Sequence, residues 1–215
     1  MYISINFKIK NDKLTYLTLD EQNIIEQYIK NNINIRNVML LTALYTGLRI
    51  GELCALRWSN IDLINNTISV NKTIQRVKNN NGITKTILNI DKPKTENSMR
   101  IVPIPAFIID YLKIYITKSD TYIFTGNNKP KDPRTVEKYF SNLLKKLNIR
   151  HLNFHSLRHT YACRLRENKV DIKVISELLG HSDWKFTQEI YVHATFENKK
   201  NSIKELNDNW CKKSS

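Results

Sequence analysis

Three short segments bring arginines, histidines and a tyrosine together in spacings that suit chemistry on an anion. The first is Thr46-Gly47-Leu48-Arg49-Ile50-Gly51-Glu52-Leu53. Arg49 falls at a helix start just after a glycine break, where free backbone amides and the positive helix end also attract an anion. Glu52 lies one turn further on and can orient a neighbour; a plain structural salt bridge is the competing reading. The second segment is His155-Ser156-Leu157-Arg158-His159. Residues at i and i+3 share a helix face, so His155 and Arg158 can address one phosphate. Arginine brings a planar fork of donors matched to phosphate oxygens, and histidine a proton that moves near neutral pH. A basic surface helix satisfies the same pattern without any chemistry. A zinc site is a further reading, since His155, His159 and Cys163 form a row, although no nearby acidic residue completes a metalloprotease-type motif. The third segment is Leu178-Leu179-Gly180-His181-Ser182-Asp183, followed by Tyr191-Val192-His193. Gly180 ends a helix and leaves His181 on the following turn. Tyr191 is one of ten tyrosines, and it gains interest only from its company.

Composition bounds the scaffold that must position these residues. At 215 residues, 41% hydrophobic and 25% charged, the chain suits one good-sized globular domain and neither a disordered nor a fibrous protein. Its 34 Lys+Arg against 20 Asp+Glu leave a net charge of +14, which calls for a polyanionic partner, either nucleic acid or an anionic membrane surface. The longest apolar stretch, Val38 to Leu48, is broken by Thr42, Thr46 and Gly47 and is far short of a membrane span. The first ten residues lack the apolar core of a signal peptide, so no export is expected. Cys54, Cys163 and Cys211 contain no short CxxC pair, which argues against a disulfide scaffold and fits a reducing cytosol.

Periodicity predicts the elements. Thr18-Leu19-Asp20-Glu21 reads as a capping box that opens a first helix, with Ile24, Ile25, Tyr28 and Ile29 as its apolar stripe. A second helix over 35–46 stops near Gly47, and a short one runs through Ile50, Leu53 and Leu56. Ile61, Leu63, Ile68 and Val70 alternate around Asn65-Asn66, and further strands are expected at 73–77, 83–90 and 99–104. Together they predict a small antiparallel sheet inserted between helices. Helices are expected again at 105–117, 133–148, 155–168, 171–179 and 184–193, with Pro133 at a first helical position after Asp132. A polar amphipathic tail at 197–210 carries Ile203, Leu206 and Trp210 on one face.

The three segments, with Pro93-Lys94-Thr95-Glu96-Asn97-Ser98-Met99-Arg100-Ile101-Val102-Pro103 between the first and second, form an ordered series. This series resembles the tyrosine recombinases, also called the phage integrase family, and especially integrases of conjugative transposons and temperate phages. The likeness spans roughly 15–195. It implies an α+β, mainly helical catalytic domain with the small antiparallel sheet inserted among helices. On the motif match, Tyr191 would be the nucleophile, Arg49 and Arg158 would clamp the non-bridging phosphate oxygens, and Lys94 would protonate the leaving 5′-oxygen. His155 would move the proton of the nucleophile, His181 would donate a hydrogen bond to the phosphate, and Glu52 would hold the first arginine or its neighbours from behind. Lys92 and Lys85 are competitors for the role of Lys94. No cofactor and no metal is implied. Lys129, Lys131, Arg134, Lys138, Lys145, Lys146, Arg164 and Lys173 are candidates for sequence-independent phosphate contacts.

The resemblance further implies double-stranded DNA target sites, a homotetramer on synapsed DNA with a monomer when free, accessory directionality proteins, no membrane, and a cytoplasmic, nucleoid-associated place of action. Residues 1–14 are expected to be an arm, 15–195 the catalytic domain, and 196–215 a tail exchanged between protomers or folded back in cis. Most of the family carries an N-terminal helical domain that closes a clamp on DNA. With only about 14 residues ahead of the catalytic fold, the sequence fits either a fragment of a longer recombinase or a small single-domain invertase. A type IB topoisomerase-like enzyme and a catalytically silent DNA-binding relative are the alternative functions.

Overall fold

The computed structural model describes residues 14–79, 85–91, 99–118 and 120–180. Lys94, His181 and Tyr191 lie outside these residues, as do Lys92 and the segments expected as a helix at 184–193 and a tail at 197–210.

Helix α1 (Leu19–Asn31) opens on the expected capping box, with Glu21 Oε2 accepting from the Thr18 amide at 2.8 Å and Thr18 Oγ1 accepting from the Glu21 amide at 3.2 Å. Helix α2 (Ile35–Thr46) forms the centre of the domain. Val38, Met39, Leu40, Leu41, Ala43 and Leu44 are all buried, so it is enclosed on every side and not merely along one stripe. It ends at Gly47, whose φ of 63° turns the chain sharply into the short α3 (Ile50–Cys54). A Cβ at Gly47 would lie 2.5 Å from the Tyr161 ring, so glycine is required there twice over. Helix α3 stops at Cys54, short of the expected Leu56.

The single sheet predicted from the alternation divides in two. Strands β1 (Ile61–Asp62), β2 (Thr67–Val70) and β5 (Arg100–Pro103) form one antiparallel sheet in the order β1-β2-β5, with Ile68 opposite both Ile61 and Val102. Strands β3 (Thr73–Lys78) and β4 (Thr86–Asp91) form a separate hairpin. The physical cause is burial against different neighbours. Ile68, Val70, Val102 and Ile74 all enter the one main core, but β3 reaches it by packing across α3 and α5, whereas β2 reaches it paired with β5.

That crossing is close. A Cβ built on Gly51 would sit 2.5 Å from both the Ile74 carbonyl oxygen and Thr73 Oγ1. Gly51→Ala is therefore expected to push α3 off the hairpin and cost about 1–3 kcal/mol of stability. Urea unfolding checks this, and an unchanged midpoint would show that α3 can shift freely.

The remaining helices are α4 (Ala106–Lys113), α5 (Pro133–Lys146), α6 (Ser156–Glu167) and α7 (Ile172–Leu179). Pro133 takes the first position of α5, and Asp132 Oδ1 accepts from the Arg134 amide at 3.1 Å. Helix α4 ends four residues earlier than its expected boundary at 117, because Ile114 and Ile116 point into solvent. Helices α6 and α7 share a small cluster of Ala162, Cys163, Ile175 and Leu179. Among the described residues no helix is long and apolar enough to cross a membrane.

Candidate active site

Four of the seven residues singled out as a site converge where α3, α6 and α7 meet. Arg49 is the N-cap residue of α3, and a third of its side chain is exposed (36%). Its Nη1 donates to Glu52 Oε1 at 2.8 Å and its Nη2 to the Gly180 carbonyl at 3.1 Å. Arg158 comes from the first turn of α6 and is buried, with Nη1 donating to the Gly47 carbonyl at 2.7 Å and Nη2 to the Leu179 carbonyl at 2.5 Å. Its Nε has no hydrogen-bond partner among the described residues. His155 stands at the start of α6 with its outer edge exposed and its ring edge-on to His159, centroids 4.8 Å apart.

Glu52 is buried and joins the cluster from below. Its Oε2 also accepts from the Arg49 amide at 2.9 Å, and both its oxygens accept from Arg100 at 3.1 and 2.9 Å. Arg100, the last residue of the Lys94-Thr95-x-x-Ser98-x-Arg100 run, was not singled out for the site by the sequence alone. Its signal was the end of that run; the pairing with Glu52 joins residues 48 positions apart and leaves no local trace.

The electrostatics are dominated by positive charge. Burial and the charges of Arg49 and Arg100 press Arg158 well below the usual guanidinium value, partly offset by Glu52. Burial would raise the Glu52 carboxyl, but hydrogen bonds and charge from Arg100, with help from Arg49, hold it below the usual carboxylate range. His155 is lowered by burial of its inner side and by Arg158 and Arg49. His159 is lowered to about 4 by burial and by His155 and Arg158. Both imidazoles are thus harder to protonate in the fold than in the unfolded chain. Stability is expected to be unaffected by them above pH 6.5 and to fall as the pH drops from there toward about 4, the His159 value. His159→Gln should flatten part of that slope in urea midpoints measured across the window; a slope identical to that of the parent protein would contradict it.

The zinc reading finds no support in the geometry. Cys163 turns into the α6–α7 cluster at 1% exposure, because two helical turns carry the i, i+4, i+8 row off the face that holds His155. Among the described residues no group of three or more His, Cys, Asp or Glu side chains is placed to hold a metal ion. Arg164, expected among the phosphate contacts, is instead occupied within the fold. Its donors go to Gln22, Glu167 and the Leu17 carbonyl, which fastens the start of α1 to α6.

Residues 15–198 match the model of the phage integrase family. The chain is 36% identical over 193 residues to a tyrosine recombinase XerC-like protein of Caldanaerobacter subterraneus subsp. tengcongensis, covering 79% of this chain and 48% of that protein. It is 31% identical over 201 residues to the integrase of Staphylococcus phage L54a, covering 84% and 56%. The chain therefore spans about half the length of these curated relatives. Among solved structures, XerA recombinase superposes with a TM-score of 0.64 at 28% identity, covering 88% of this chain and 65% of that one. The Tn1549 transposon integrase, solved with a circular intermediate DNA, shares the fold with a TM-score of 0.70 at 23% identity, covering 93% and 68%.

Proposed function

The chain belongs to the phage integrase family, and from that premise we propose that it is a site-specific DNA recombinase working through a covalent 3′-phosphotyrosine. The observation that carries the reading is the gathering of Arg49, Arg158 and Arg100 at the end of α7, where the carboxylate of Glu52 bonds Arg49 and Arg100 but not Arg158. Like charges held together at a half-open surface are relieved by an anion, and a phosphodiester supplies one. Arginines arranged in this way also do the electrostatic work that many phosphoryl-transfer enzymes give to a metal ion.

In the proposed reaction Tyr191 Oη attacks the scissile phosphorus and the bond from phosphorus to O5′ breaks. His155, neutral near pH 7 and so able to accept, takes the phenolic proton. Lys94 gives a proton to O5′, and His181 donates to a non-bridging oxygen. The partly exposed guanidinium of Arg49 meets the phosphate first, with Arg158 adding charge from beneath. The ester is exchanged and not hydrolysed, so the 5′-hydroxyl of a second strand reverses the step without ATP. The partners are double-stranded DNA sites and, on synapsed DNA, three further copies of the chain; free protein is a monomer and accessory proteins set direction. Residues 15–195 form the catalytic unit, with 1–14 as an arm and 196–215 as an exchanged tail. The reaction belongs in the cytoplasm, at the nucleoid.

The test is to incubate the protein with fragmented DNA from its source in EDTA, denature in SDS, and sequence the DNA that remains attached. A covalent, metal-independent adduct enriched in one sequence is the expected result. A protein that shifts DNA in a gel yet leaves no adduct is a binder, and the reading fails.

A further inference from the structure

Helix α7 ends in three consecutive carbonyls, and each is taken by a different arginine. Arg100 Nε donates to Leu178 at 2.7 Å, Arg158 Nη2 to Leu179 at 2.5 Å and Arg49 Nη2 to Gly180 at 3.1 Å. The last carbonyls of a helix have no partner within it and carry the negative end of its dipole, so this terminus is a natural seat for cations. Three guanidiniums on one helix end share a single register: α7 cannot move along its axis without moving all of them.

Arg100 has a feature the other two lack. It joins this helix end to Glu52 through both terminal nitrogens, while Glu52 in turn holds Arg49 by side chain and by amide. A fork of two parallel bonds fixes the carboxylate in both direction and rotation. The pair is buried, at 7% and 2% exposure, so water does not loosen it. Arg100 has its Nε on the Leu178 carbonyl and both terminal nitrogens on Glu52, so it has no fork left to present to DNA.

We propose that Arg100 is a positioning residue of the reaction: it locks Glu52 to the end of α7, so that Arg49 and Arg158 are aimed at the phosphate as one unit. The inference rests on the recombinase reading above. It requires a planar guanidinium, because Arg100 meets Leu178 and the two Glu52 oxygens from three separate nitrogens in a fixed fork, and a lysine ammonium is a single point donor with no such fork.

The experiment uses the full chain and the DNA site recovered by SDS trapping, in single-turnover cleavage. If the parent protein forms no adduct, the recombinase reading has failed, and that outcome is visible before any variant is made. Given an active parent, Arg100→Lys is expected to bind the site within about threefold of the parent and to form adduct roughly 30-fold or more slowly. Arg49→Lys added to Arg100→Lys should slow it little further, since both changes disable the same clamp. The loss should persist on DNA with a bridging 5′-sulfur, whose thiolate leaves without a proton. Three results would overturn the proposal: an Arg100→Lys rate within threefold of the parent, losses that multiply with Arg49→Lys, or recovery on the 5′-sulfur substrate, which would assign Arg100 to leaving-group protonation. Should Arg100→Lys fail to fold, Arg100→Ala supplemented with free guanidinium replaces it, and recovery of cleavage by guanidinium is then the expected result and its absence the overturning one.

Discussion

Tyr191→Phe is expected to abolish the covalent adduct, a fall of roughly 10⁴-fold or more, as follows when the nucleophile of covalent catalysis is removed. Phenylalanine keeps the ring and deletes only the attacking oxygen, so DNA affinity should stay within about threefold. Three of the described tyrosines are poor substitutes for it. Burial and a hydrogen bond to Glu26 push the Tyr45 hydroxyl far up, burial raises Tyr161, and Tyr139 Oη donates to Asn37 at 2.6 Å. Each is held in packing and is reluctant to ionise. SDS gels of trapped complexes alongside gel shifts make the check. An adduct that persists in the variant would place the nucleophile elsewhere, and loss of both adduct and binding would make Tyr191 a packing residue.

Local signals gave away the framework of this fold. The capping box at Thr18 and Glu21, the glycine stop at Gly47 and the Asp132-Pro133 start each depend on residues within one turn of one another, so a short stretch of sequence contains the whole cause. The sheet was less legible. Alternation marks a strand but not its partner: β2 pairs with β5 across the 29 residues 71–99, while β3, only two residues away, turns aside to cover α3. Within the site, residue types pointed to Arg49, His155, Arg158 and Glu52. The supporting contacts leave no mark in the sequence because the acceptors at Gly47, Leu178, Leu179 and Gly180 are backbone carbonyls. A carbonyl has no residue identity, so nothing in the sequence says which one an arginine will find.

Glu52→Gln should be the most damaging change to stability. The substitution keeps shape and removes charge, leaving Arg49 and Arg100 without their carboxylate in a place 2% exposed. Breaking one side of a buried ion pair costs about 3–5 kcal/mol, and the amide nitrogen of Gln would face a guanidinium donor as well. For a chain of this size that corresponds to a fall of roughly 6–20 °C in Tm. The sign with pH follows from the lowered Glu52 carboxyl: its contribution is present above the ordinary value of 4.5 and lost as the pH falls through the lower folded value. The variant should therefore be less sensitive to acid than the parent, having lost that contribution already. It should also respond to anions. If the arginines form a seat for phosphate, removing the competing carboxylate makes them a stronger one, and inorganic phosphate should raise the Tm of Glu52→Gln more than that of the parent. Thermal melts in chloride and in phosphate at matched ionic strength decide it. A variant within about 1 kcal/mol of the parent would mean that Glu52 is dispensable to the cluster. A full loss of stability with no added response to phosphate would mean that the arginines are structural cations only.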